Sequence, residues 1–124
     1  MNPNVIDLRQ MLKGVGGRGG DTVKEAIKRA VIYPATILLA VKLRFGTYPQ
    51  SIRLSDLAPM LSKEVLRYGP RMLVAHNLAK LDGDTIVLNS RSELYDTFID
   101  CAERLSAEQG FGVLRNVRKR FGKG

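Results

Sequence analysis

The chain of 124 residues has no tryptophan, one histidine and one cysteine. A single thiol, Cys101, cannot close an intramolecular disulfide, so the fold has to be held by its core and a reducing, cytoplasmic setting is expected. Cys101 lies within an apolar helical pattern, which predicts a buried and inert thiol. With so few His and Cys donors, no metal set or nucleophilic triad of recognisable spacing can be assembled. The acids are scattered or stand where helices start. The chain is therefore expected not to be an enzyme, with no catalytic residue, metal or cofactor.

Long hydrophobic runs are lacking too. The most apolar stretch, AVIYPATILLAV at 30–41, is flanked by Arg29 and Lys42 and falls short of the roughly 20 residues that span a bilayer. It predicts a buried core helix and no transmembrane segment. The N-terminal stretch MNPNVIDLRQMLKG has Asp7 early and no apolar run of leader length, so secretion is not expected. Acidic residues are in deficit: 12 Asp and Glu stand against 20 Lys and Arg, giving a net charge of +8. Such a field attracts polyanions, among them nucleic acid and anionic membrane surfaces.

The length fits one domain with a single core. Residues 1–20 read as a short N-terminal helix, with Val5, Leu8 and Leu12 on one face, followed by the glycine-rich hinge GVGGRGG, where Arg18 can meet phosphate. Residues 21–110 read as the globular domain. Asp21 is placed to cap a helix over 22–32, Tyr33-Pro34 to break or kink it, and Pro34 to start a helix that stops at Gly46. The alternation Ser51-Ile52-Arg53-Leu54 predicts a small strand. Ser55 predicts a helix cap for a helix to Tyr68, and Gly69-Pro70 the end of that helix and the start of another over 70–81. At about 100° per residue, Val74, Leu78 and Leu81 of that second helix face inward and Leu73, His76, Asn77 and Lys80 outward. The turn Asp82-Gly83-Asp84 and the strand Thr85–Asn89 follow. Ser90 and Glu93 have capping-box spacing for a helix that carries Leu94, Phe98, Ile99, Cys101, Ala102 and Leu105 and ends at Gly110-Phe111-Gly112. Residues 111–124 form a basic arm or helix with an apolar side of Val113, Leu114, Val117 and Phe121.

The fold class is thus mainly α with a small β component. The order helix, strand, helix, helix, strand, helix, with the cadence LSDLAPML, LVAHNLAKL and DGDTIVL, resembles a winged helix over residues 35–105. The resemblance implies a two- or three-stranded sheet, a recognition helix over 70–81 and a wing that begins at Thr85. It also implies DNA binding, DNA rather than RNA, by a regulator or accessory factor. Leu73, His76, Asn77 and Lys80 would meet the major groove. Arg67, Arg71 and Arg91 would neutralise phosphates, as would Arg115, Arg118, Lys119 and Arg120 near the C-terminus and Lys123 beyond them. A second reading, from a different class, is a helical adaptor that docks on a protein partner through residues 113–124. A homodimer is compatible with either, and a peripheral hold on anionic lipid is a third reading. His76 and Asp82 are separated by five residues, whereas glycerolipid acyltransferases place four between their His and Asp; Asp82-Gly83-Asp84 is read as a turn and not as a calcium loop.

Overall fold

The computed structural model describes residues 20–122, so the N-terminal helix and most of the glycine-rich hinge predicted for residues 1–20, together with Lys123, lie outside the described residues. One long helical rod comes first. It comprises α1 (Gly20–Ile27), a π-helical turn (Lys28–Ile32) and α2 (Tyr33–Phe45). The rod continues through Tyr33-Pro34 without the predicted break. Pro34 has no amide proton to give the carbonyl of Ala30 and would crowd it in a regular α turn. The wider π turn just before it accommodates the ring, and the Ala30 carbonyl instead accepts a 2.6 Å hydrogen bond from His76 Nε2. Asp21, predicted as a cap, falls inside the first turn of α1.

Every residue from Tyr33 to Val41 is buried, as the apolar run predicts, and α2 is the axis of the core. The hydroxyl of Thr36, fully buried, donates to the Ile32 carbonyl at 2.6 Å, which satisfies a polar group that would otherwise be costly there. Gly46 ends the helix with a φ of 74°.

The chain then forms β1 (Ser51–Arg53), α3 (Leu54–Leu57) with a 3-10 turn (Ala58–Met60), α4 (Lys63–Ala75), β2 (Ala79–Asp82), β3 (Thr85–Leu88), α5 (Ser92–Gln109) and α6 (Val113–Phe121). The three strands make one antiparallel sheet in the order β1-β3-β2, with Ile52, Ile86, Ala79 and Leu88 turned into the core. The β2–β3 connection is a two-residue turn in which Gly83 has a φ of 62°, as a tight hairpin of the II′ class needs.

Two predicted helices are redrawn. The helix from Ser55 to Tyr68 is split: it runs only to Met60, Leu61 is extended, and Ser62 caps a new helix by accepting from the Val65 amide at 3.3 Å. The helix predicted over 70–81 does not exist as such, because α4 runs straight through Gly69-Pro70 and stops at Ala75. An interior proline costs a helix about 3 kcal/mol, but here Val65, Gly69, Pro70 and Leu73 are all buried on one face, and that packing outweighs it. Gly69 is where α4 touches the rod: a Cβ there would lie 2.5 Å from Ile37 Cγ1 and 3.0 Å from the Tyr33 carbonyl oxygen.

Shifting the helix shifts its phase. Leu73, predicted to point outward, has no exposed surface, while Val74, predicted to point inward, is 39% exposed. Leu81, also predicted inward, sits half in solvent on β2. The capping box at Ser90 is not formed; α5 starts two residues later, with Arg91 at the cap. The Ser90 amide donates to the buried Tyr95 hydroxyl, which donates to the Leu78 carbonyl. Cys101 is exposed, not buried, because the inward face of α5 is taken by Tyr95, Ile99, Ala102 and Ser106. Of the two forms predicted near the C-terminus, arm or helix, the chain adopts the helix. Leu114 and Val117 of α6 are buried on the core, against α2 and α5. No helix among the described residues is long and apolar enough to cross a membrane.

Candidate nucleic-acid interface

Helix α4 has 13 residues, and its buried positions fall on one side. At about 100° per residue the opposite side collects Lys63, Glu64, Arg67, Arg71, Val74 and Ala75, all exposed. Lys63, Arg67 and Arg71 are each one turn from the next, so their cations form a line along the middle of the outward face. The ion pairs formed among the described residues use Arg29, Lys42 and Arg118 and none of these three. Their charge is therefore turned to solvent, and Glu64 is the one acid within the helix.

One further cation, Arg29, which also pairs with Glu25 at 3.2 Å, is brought beside this line by Tyr68 of α4. Tyr68 stacks on Tyr33, with ring centroids 6.1 Å apart, and carries the guanidinium of Arg29 at 4.5 Å and that of Arg67 at 5.4 Å. Such cation–π contacts contribute about 0.5–1 kcal/mol at exposed sites; here they also hold an arginine of the π turn beside one of α4. Burial first, then the charges of Glu25 and Glu64, raise the Tyr33 phenol above its ordinary value. At the other end of α4, Arg120 of α6 lines a groove with Pro59, Leu61, Ser62 and Val65, so the basic side of α6 adjoins the start of α4. Arg115 and Lys119 are exposed on that helix as well.

The remaining predicted contacts are dispersed or removed. Leu73 is core. His76 is exposed on one side, but its Nε2 donates to the Ala30 carbonyl and its ring lies against Phe98, with centroids 5.8 Å apart, so the ring is held against the rod. Asn77 has a φ of 61°; its amide donates to the Val74 carbonyl and that of Leu78 to the Leu73 carbonyl, which is a Schellman end with asparagine in the left-handed position. Its role is to stop α4. Lys80 is on β2, in one cross-strand row with Val87 and Ser51 on the outer face of the sheet; the next row holds Arg53, Thr85 and Asp82. Arg91 is exposed at the start of α5, in a depression lined by Ser90, Glu93, Leu94 and Thr97 that no α4 residue enters. Arg118 forms a bidentate pair with Glu103, at 2.8 and 2.9 Å, and is not free to take a phosphate. The apolar side of residues 113–121, predicted as a docking surface, is spent on the core through Leu114 and Val117.

Sequence reasoning missed Lys63 and Arg29. The signal for Lys63 was present: Lys63, Arg67 and Arg71 keep a one-turn spacing that reads as one face once the helix is not cut at Gly69-Pro70. The contact of Arg29 with Tyr68 links residues far apart in the chain and has no local sign.

Compared with protein-family models, with curated proteins and with solved structures, the chain matches none.

Proposed function

We propose that the protein binds duplex DNA, as a small regulator or accessory factor with a winged-helix-like core, by laying α4 in the major groove. The line Lys63, Arg67 and Arg71, outward and outside every ion pair formed among the described residues, carries this reading. Support comes also from the order rod, β1, α3, α4 and hairpin, with strand order β1-β3-β2, which is compatible with reading α4 as the second helix of a helix-turn-helix unit and the β2–β3 turn as its wing. The three cations span about 12 Å at 1.5 Å per residue, and a helix fits the major groove of B-form DNA, about 12 Å wide. The deep, narrow major groove of an RNA duplex would not admit it. Arg120 flanks the start of the helix as a backbone contact, and Arg67 and Arg71 are the candidates to reach base edges.

The test is fluorescence anisotropy on duplex DNA over a salt series. Each neutralised phosphate contributes about 0.9 to the slope of log affinity against log salt. The combined change Lys63→Gln, Arg67→Gln and Arg71→Gln is expected to lower that slope by about 2–3, with unchanged circular dichroism, and an RNA duplex of the same length is expected to bind more weakly. No binding at about 50 mM salt, or an unchanged slope in the triple variant, would refute the reading.

A further inference from the structure

Helix α5 buries Tyr95, Ile99, Ala102 and Ser106 against the core. Beside that face, about a quarter-turn round the helix, runs a second stripe: Leu94, Phe98, Cys101 and Leu105. Leu94 is 48% exposed, Cys101 is exposed, and Phe98 and Leu105 are half-buried. Three residues beyond each end stand Arg91, the cap residue just before α5, and Glu108 in its last turn, both exposed and both outside the ion pairs of the described residues. Alternation of three and four brings these side chains to one side of the helix, the spacing with which an apolar stripe packs along a second helix.

We infer that this stripe is a dimer interface, on which α5 of a second copy of the chain packs in antiparallel sense. The charges at its ends select the occupant and the direction. A parallel pair would set Arg91 against Arg91 and Glu108 against Glu108. An antiparallel pair about a two-fold axis sets Arg91 against Glu108 of the second copy at both ends. Within those ends, Leu94 meets Leu105 of the second copy and Phe98 meets Cys101, so every apolar position has an apolar partner. A closed two-fold interface of this kind is self-complementary, as an isologous contact must be. It rests on no part of the nucleic-acid reading, since α4 and its cations take no part in it.

Sedimentation velocity on the full chain without nucleic acid, over a concentration series, gives the direct test. The expected species is a reversible dimer of twice 13.8 kDa. Leu94→Glu is expected to weaken it at least about tenfold while leaving the thermal midpoint of the monomer unchanged. Arg91→Glu is expected to weaken it too, and Arg91→Glu with Glu108→Arg to restore it. The single thiol supplies a second readout: a short bis-maleimide is expected to link two Cys101 residues in the wild type and not in Leu94→Glu. A monomer at every concentration overturns the interface, whether or not Leu94→Glu then lowers the midpoint by uncovering a stripe shielded by the chain's own N-terminal segment. A dimer indifferent to Leu94→Glu overturns it as well, and a dimer indifferent to Arg91→Glu overturns the antiparallel sense.

Discussion

Asn77 carries one of the few decisions in this chain that rest on a single backbone angle. Its φ of 61° closes α4, and the buried pair Leu73 and Leu78 on either side of the turn locks the closure. Only glycine adopts this conformation without cost, asparagine does so readily, and a β-branched residue does so at a penalty of about 1–2 kcal/mol. Asn77→Gly is therefore expected to leave stability within about 0.5 kcal/mol of the wild type, and Asn77→Val to lose about 1–2 kcal/mol, read from urea melts. A residue that read bases would instead lose DNA affinity in both variants at equal stability. Gly46 and Gly110 were legible as helix ends because glycine announces itself. Asn77 was not, since asparagine also suits an exposed reading face and nothing local says which.

At the scale of elements, the contact between α4 and the rod sets the geometry of the candidate interface. Gly69 permits the approach, and a methyl group there has no room beside Ile37 and the Tyr33 carbonyl. Overpacking of a tight core costs about 1–3 kcal/mol, so Gly69→Ala is expected to destabilise by that amount, and Ile37→Ala added to the same chain to cost less than its own cavity would suggest, since it relieves the clash with Ile37. A double-mutant cycle by chemical denaturation measures the coupling. The same contact explains what the sequence concealed. Gly-Pro is a strong local stop signal, and tertiary burial of Val65, Gly69, Pro70 and Leu73 overrode it. Elements whose signals are local and unopposed came through: the apolar run of α2, the alternating β1 and β3, and the Gly83 turn. The inward side of α5 was misjudged for a different reason, because that helix has more apolar positions than one face can bury.

Across the whole molecule, charge is sorted. Helix α5 carries Glu93, Asp96, Asp100, Glu103 and Glu108 with Arg104 alone against them, whereas α6 has four bases and no acid. The acids of α5 hold neighbouring parts together. Asp96 accepts from Lys42 of α2 at 2.6 Å and from Tyr48 of the following loop at 2.5 Å, and Glu103 takes Arg118 of α6. The hydrogen bond from Lys42, then that from Tyr48, holds the Asp96 carboxyl below its ordinary 3.8. Burial first, and the Asp96 bond second, hold the Tyr48 phenol well above its ordinary range. Because the folded carboxyl is the stronger acid, the unfolded chain binds the extra proton. The stabilisation is full above 3.8 and is lost as pH falls through the lower folded value. Asp96→Asn is expected to be less stable than the wild type at neutral pH and to show a shallower fall in stability on acidification, followed by urea melts at successive pH values.

The π turn at Lys28–Ile32 has a consequence for how the chain tolerates insertions and deletions. A π turn holds one residue more than the α turn it replaces, so the side chains upstream of it are out of step, by about 100°, with a regular helix extended back from α2. Loss of one residue from this segment would rewind it to α. Everything before it would then swing about the rod axis, carrying Ala26 and Ile27 out of the core and parting Arg29 from Tyr68. The bearing of the N-terminal half of the rod on the rest of the protein is thus set by a count of residues, and a change of one in that count alters it more than most substitutions can.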